Sequence, residues 1–255
     1  MRDHLRNHFA YATARTRGGR VEQVGALLTV DSGLDCDTFN AVLAGRMGRE
    51  GAEALIGNAV AAFGGRAFSW WHGPDAPAFL PDLLQSCGLA AAEREVAMRL
   101  DRGEAAAGPE PVPGLEVRRV ADEAALRDYA AVIAANWLPP DLDVLAFYAG
   151  AAEPLLRPSS PLVLLLGYLE GTPVATAELA TGDDGVAGIY GVATLAERRG
   201  RGIGASLTAA AIAAGWGSGA GAIELQASPD GAGIYRRLGF RDHGAWTEFK
   251  PAGAR

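Results

Sequence analysis

Arg199-Gly200-Arg201-Gly202-Ile203-Gly204 is the stretch of this chain whose residue types and spacing are best suited to chemistry. Three glycines at alternate positions let the backbone turn tightly and approach a ligand with no Cβ in the way. The stretch lies between a strand-like run at 189–195 and an alanine-rich run at 205–214 that reads as a helix. A loop that opens a helix leaves N–H groups unpaired at the positive end of the helix dipole, and together they favour an anion. Arg198, Arg199 and Arg201 add charge that suits phosphate oxygens, although Arg198 and Arg201 also read as solvated loop charges. The predicted chemistry is the cradling of a pyrophosphate.

The elements that must position this loop follow from the patterning around it. A strand at 115–120 leads into a helix over 123–137, with Leu126, Tyr129, Ile133 and Trp137 at helical spacing. Pro139-Pro140 breaks that helix, and Asp141 can cap the next one, over 142–149. Strands at 162–169 and 173–179 meet at the tight turn Glu170-Gly171-Thr172, and Gly182-Asp183-Asp184-Gly185 turns the chain into a strand at 186–195. Beyond the glycine loop and its helix come a strand at 222–227, a helix over 231–238 and a last strand at 244–249. This order predicts an α+β fold: a mostly antiparallel mixed sheet flanked by helices, with one crossover helix opened by the glycine loop.

Upstream, an amphipathic helix is expected over 1–16, with Leu5, Phe9 and Ala12 on its apolar face. His4 and His8 lie one turn apart on that helix and read as solvated, and with no third ligand nearby no metal site is predicted. A strand at 25–30, a short helical turn at 35–43, a helix over 50–63, a strand at 66–71, a helix over 77–87 and a strand at 95–100 follow. Trp70 and Trp71 read as core. Residues 102–114, rich in proline, glycine, alanine and glutamate, read as a semi-stiff linker between a smaller α/β domain at 1–101 and a larger one at 115–255.

Composition narrows the classes. The 255 residues carry 30 acidic and 23 basic side chains, a formal charge of −7, which argues against a nucleic-acid binder. Apolar runs are too short to span a bilayer, and the first ten residues carry Arg2, Asp3, His4, Arg6 and His8 in place of an apolar signal core. Cys36 and Cys87 form neither a metal-ligand spacing nor a disulfide framework, so free thiols in a reducing cytoplasm are expected.

Residues 192–204 resemble the acetyl-CoA loop of the GNAT superfamily of N-acetyltransferases, whose signature Gln/Arg-x-x-Gly-x-Gly/Ala is met by Arg199, Gly202 and Gly204. Ala196 stands where that family often has proline. Residues 227–230 (Ala-Ser-Pro-Asp) and 234–240, ending Tyr235-x-x-x-Gly239-Phe240, resemble its second motif. The resemblance implies acetyl-CoA as acyl donor without a metal, and a small-molecule or peptide amine as acceptor. Neither nucleic acid nor membrane is an expected partner, and homodimerisation is open. It implies cofactor contacts from Val192, Ala193 and Thr194, from Arg199, Gly200, Arg201, Gly202, Ile203 and Gly204, and from Ser228 and Tyr235. A phenol of pKa about 10 can protonate a leaving thiolate whose thiol has pKa about 8.5. Tyr235 stands where the family places that acid, against a packing role beside Ile234 and Leu238. Glu178 and Glu224 are both candidates for the general base, and Trp137, residues 139–147 and the hairpin at 170–178 for the acceptor's surroundings.

The first half echoes the second in element order, and the turns Gly73-Pro74-Asp75 and Ser228-Pro229-Asp230 fall at the same place. It reads as a degenerate, partial GNAT-like copy. Its counterpart of the glycine loop, residues 45–51, lacks the Gly-x-Gly spacing and sets Glu50 where phosphate would lie. One CoA per chain is therefore expected, with the first half shaping the acceptor side. Two functional readings follow: an N-acetyltransferase acting on a primary amine, or a non-catalytic CoA-sensing module. A dinucleotide fingerprint, Gly200-x-Gly202-x-x-Ala205 with Glu224 downstream, is disfavoured because too little chain follows for the remaining βα units of a doubly wound sheet.

Overall fold

Both halves of the chain contribute to one sheet in the computed structural model, which describes residues 1–104 and 108–253; residues 105–107 of the expected linker lie outside the described residues. The first half runs α1 (Asp3–Ala10), β1 (Arg20–Val24), β2 (Leu27–Asp31), β3 (Ala41–Ala44), α2 (Ala52–Ala62), β4 (Ser69–His72), α3 (Leu80–Ser86) and β5 (Leu89–Asp101). The second runs β6 (Leu115–Arg119), α4 (Glu123–Ala134), α5 (Leu142–Gly150), α6 (Ala152–Leu156), β7 (Leu162–Leu169), β8 (Thr172–Ala180) and β9 (Val186–Thr194). It ends with α7 (Ile203–Gly217), β10 (Ala222–Ala227), α8 (Ala232–Arg237) and β11 (Arg241–Pro251). The eleven strands are ordered β1-β2-β3-β4-β11-β5-β10-β9-β8-β7-β6.

That order is a reciprocal exchange. In each half two strands run parallel, β3 with β4 and β9 with β10. The neighbour of each pair is then the last strand of the other half: β4 pairs with β11 and β10 with β5, both antiparallel. At the centre β5 and β11 pair with each other, from Arg99 opposite Arg241 to Leu89 opposite Pro251. The repeat expected from the sequence is thus present as matching topology. Residues 115–255, read from the sequence as a domain of their own, do not contain every strand of their sheet, because β5 lies between β10 and β11.

Three cores follow from the alternation of side chains along these strands. Ile203, Leu207 and Ala211 of α7 pack on Leu179, Ile189, Ile223 and, from the exchanged strand, Met98 and Leu100. Ile56, Phe63, Leu80 and Leu84 of α2 and α3 and the loop after α2 cover Val42, Trp70 and Phe249. The third core joins the halves, with Leu28, Val30 and Leu43 against Tyr129, Phe147 and Tyr148. Phe39 stacks on Phe147 there, ring centroids 3.7 Å apart.

The structure changes several expectations. Residues 41–44 are a strand rather than part of a helical turn, because Val42 and Leu43 face different cores and so alternate with period two. β1 was not anticipated: it is a largely exposed edge strand with little apolar alternation. The strand expected at 95–100 spans Leu89–Asp101, since β11 pairs with its exposed first half. Trp70 is fully buried, as expected of a core residue.

Candidate active site

β9 and β10 are hydrogen-bonded only from Val186 opposite Ala222 to Ile189 opposite Leu225. Past that point they part, and β9 carries an irregularity in its pairing with β8, between Tyr190 opposite Glu178 and Ala193 opposite Thr176. Gly191 sits in it with φ 55°, and its carbonyl accepts a hydrogen bond from Thr176 Oγ1 at 2.8 Å. Half-buried Val192, Ala193 and Thr194 follow, with no strand on their β10 side. A backbone edge of this kind can pair with a peptide-like ligand arm.

The chain then crosses to α7 through the glycine loop. α4 and α5 begin with aspartate caps: Asp122 accepts from the Ala125 N–H, and Asp141 from the Asp143 N–H. α7 has no such cap; Gly202 precedes it at φ 80°, and Gly200 is also left-handed at φ 75°. Its first-turn N–H groups are therefore left for an external acceptor. Gly204 shows what the glycines are for. A Cβ there would meet only Thr194 Oγ1, at 3.6 Å, so the protein's own packing does not require glycine. The space such a Cβ would fill lies at the open N-terminus, which suits a pyrophosphate needing close backbone approach. Arg201 is exposed, and Arg198 half-buried. Arg199 is exposed and bonds the Thr194 carbonyl through Nε (3.0 Å) and Asn136 Oδ1 through Nη2 (3.2 Å), tying the loop to β9 and the end of α4.

Across the opening, Ser228 begins the turn into α8, its Oγ accepting from the Gly231 N–H at 3.2 Å. Tyr235 follows on α8, buried, with its ring edge-on to Phe240 at 6.0 Å. Burial, then the charge of Glu95, pushes its phenol up to about 12. Glu95 belongs to the exchanged strand. Burial, then Glu93 and Glu248, pushes its carboxyl up to about 7. Its partner across β5–β11 is Trp246. The Trp246 indole lies against Gly73, the first half's counterpart of Ser228, where a Cβ would collide with the ring. Trp246 therefore fills part of the first half's equivalent cleft, which supports one CoA site rather than two.

The two carboxylates proposed as bases lie under α1, and here an expectation is corrected. His4 is buried and His8 partly so; neither is a solvated surface residue. α1 settles on the β8–β9 hairpin because Gly182 and Gly188 carry no Cβ, which would overlap Asp3 and the His4 ring respectively. Carboxylates only accept, so His4 Nε2 donates to Glu224 at 3.3 Å while its Nδ1 accepts from the Tyr190 hydroxyl at 2.9 Å. Glu224 is also paired with Arg99 at 2.8 Å and Arg2 at 3.3 Å. Burial alone would raise the Glu224 carboxyl, but His4, Arg2 and Arg99 outweigh it and hold it at about 2. Glu178, also buried, accepts from His8 Nδ1 at 2.7 Å. No sequence signal near either histidine named these partners, which lie 170 and 220 residues away.

A cavity of about 500 Å³ opens beside α1, between the halves. Tyr190, Glu224 and Gln226 face it from the second half, Arg46 and Asp75 from the first, and Trp246 from β11. Gln226 Nε2 is buried without a hydrogen-bond partner among the described residues. Neither Trp137, which is exposed, nor residues 139–147 nor the hairpin at 170–178 line this cavity. Among the described residues no cluster of three histidine, cysteine or acidic side chains could hold a metal, and no helix is long and apolar enough to cross a membrane. Both cysteines are free thiols.

Comparison with known proteins agrees with this architecture. The profile of the acetyltransferase (GNAT) family matches residues 123–240, within the second half of the chain. No curated protein sequence matches. Among solved structures, a GCN5-related N-acetyltransferase from Kribbella flavida superposes with TM-score 0.69 at 23% identity, over 97% of this chain and 96% of that one. A GCN5-related N-acetyltransferase from Sphaerobacter thermophilus gives 0.63 at 17% identity, over 90% of this chain and 81% of that one. A tandem GNAT protein from the clavulanic acid biosynthesis pathway gives 0.63 at 16% identity, over 96% and 87%. The coverage extends the likeness of fold to both halves.

Proposed function

We propose that this protein transfers the acetyl group of acetyl-CoA to a primary amine, on a small molecule or a peptide. The observation that carries the reading is the uncapped, glycine-opened start of α7 beside the parted ends of β9 and β10. The first-turn amides of α7, with Arg201 nearby, hold the pyrophosphate, and the free edge of residues 192–194 aligns the pantetheine arm. Acetyl-CoA supplies an activated acyl group and a thiolate leaving group. Tyr235 keeps its proton through the neutral range because burial disfavours the phenolate, and so retains a hydrogen to give the departing thiolate.

The acceptor enters through the cavity between the halves, which reaches Tyr190 and Gln226 where the strands begin to part. Of the two carboxylates, Glu178 suits proton traffic better. Glu224 is held near pKa 2 by three cationic or donor partners and is a weak base; its part is to anchor α1 to β10. The test is release of free thiol from acetyl-CoA across a panel of primary amines. Amine-dependent release supports the transferase. Tight CoA binding without release on any amine would favour the sensing module instead.

A further inference from the structure

We propose that α1 supplies the general base of the acetyl transfer: His8, oriented by Glu178, takes the proton from the acceptor amine. The inference rests on the transferase reading and adds a residue to it. The pair is made of groups far apart in sequence that meet at the parting of β9 and β10. Glu178 on β8 is opposite Tyr190 on β9, one residue before left-handed Gly191. His8 Nδ1 donates to Glu178 at 2.7 Å, which fixes the tautomer and leaves the Nε2 lone pair as the basic site. Among the described residues no side chain bonds Nε2, and a quarter of the His8 side chain remains accessible.

The ring is held as a catalytic base needs to be. It stacks on Tyr190, centroids 3.7 Å apart and planes within 4°. Tyr190, in turn, donates to His4 and lines the cavity. The titratable groups facing the pair are Tyr190 from β9, Tyr129 from α4 and Tyr148 from α5, with Glu224 of β10 beyond His4. Burial pushes all three phenols up, and the Glu178 charge adds to it, so they stay neutral. Glu178 is then the one charge bearing directly on the imidazole from these groups. The Tyr129 hydroxyl is buried beside Tyr148, and a Cβ on Gly191 would lie 3.2 Å from it. A donor is thus aimed at the same turn of β9.

In the step itself the nitrogen of the neutral amine forms a bond to the acetyl carbonyl carbon while the carbon–sulfur bond breaks. The nitrogen gives one proton to His8 Nε2, and the thiolate takes one from the Tyr235 hydroxyl. Solvent returns the proton from His8 to Tyr235, so the protein ends unchanged. Glu178 does not touch the amine; it is a positioning residue.

The test uses the full chain and an amine found to support thiol release. His8→Gln keeps a donor for Glu178 but removes the basic nitrogen. Its kcat should fall by about 100-fold or more, CoA affinity and acceptor KM should stay within about twofold, and the acid limb of the kcat/KM profile should reduce to the ionisation of the amine substrate alone. Glu178→Gln should lose less, and the double variant should be no slower than His8→Gln alone, since the two act as one unit. Should His8→Gln fold poorly, His8→Gly with added imidazole should recover turnover. Wild-type kcat with an unmoved pH profile in a folded His8→Gln protein, or additive losses in the double variant, would overturn the base and leave the transferase standing. If wild-type protein binds CoA but releases thiol with no amine, both readings fall together.

Discussion

Tyr235 and Glu224 carry opposite electrostatic situations, and each predicts a measurable response. Tyr235 is a neutral hydroxyl whose ionisation is suppressed by burial and by Glu95. Tyr235→Phe removes only that hydroxyl, so CoA affinity should hold while turnover drops by about 10²–10⁴ where proton transfer limits the rate. Glu224 is the reverse, a carboxylate kept ionised down to about 2 from an ordinary 4.5. A depressed pKa gives stability that is complete above the unfolded value and drains away as pH falls from 4.5 toward 2. Glu224→Gln should therefore cost about 2–3 kcal/mol at pH 7, and urea titrations at pH 7 and pH 3 should show a smaller gap than in the wild type. Glu95 works in the other direction: its raised pKa of about 7 means the folded state loses stability as pH climbs from 4.5 through 7. Glu95→Gln should lift stability at pH 8 while barely changing it at pH 4. The motif residues were readable because their glycines stand close together, at alternate positions of one short stretch. The roles of His4, His8 and Glu95 were not, since each depends on a partner brought near only by the fold.

In the proposed reading, cofactor binding depends on the start of α7. α2 also starts uncapped, at left-handed Gly51, while α4 and α5 close their own first turns with aspartate. α7 does not, and a Cβ at Gly204 has room in the protein itself. Gly204→Val should accordingly leave far-UV dichroism and melting temperature near wild type but weaken CoA by about 100-fold or more in calorimetry. Unchanged affinity would remove the phosphate-cradle assignment. α4 was legible from its 3.6-residue spacing of Leu126, Tyr129 and Ile133, α5 from its proline break and aspartate cap, and α7 from an alanine-rich run that follows the glycine loop. β1 and the first half of β5 were not, because exposed strands paired by backbone alone leave little mark on the side-chain pattern. α1 was legible as a helix but its docking on the β8–β9 hairpin was not, since Gly182 and Gly188, which permit it, read as ordinary turn and strand glycines.

At the scale of the whole molecule, the exchange of β5 and β11 makes each half dependent on the other. A fragment of residues 115–255 lacks the strand between β10 and β11 and exposes the β10 edge. It should be poorly folded alone and recover structure when residues 1–101 are added in trans; a monomeric, CoA-binding fragment would show that β5 is dispensable. The exchange was invisible to sequence reasoning, because the linker at 102–114 marks where the chain changes halves but not which strands pair. It also explains how two similar halves come to have unequal clefts. Glu95 from the first half borders the second half's cleft, while Trp246 from the second half plugs the first half's, against Gly73. The most direct test is calorimetric titration of the intact chain with CoA. The structure predicts one saturable site per chain; two equivalent sites, or no binding at all, would contradict it.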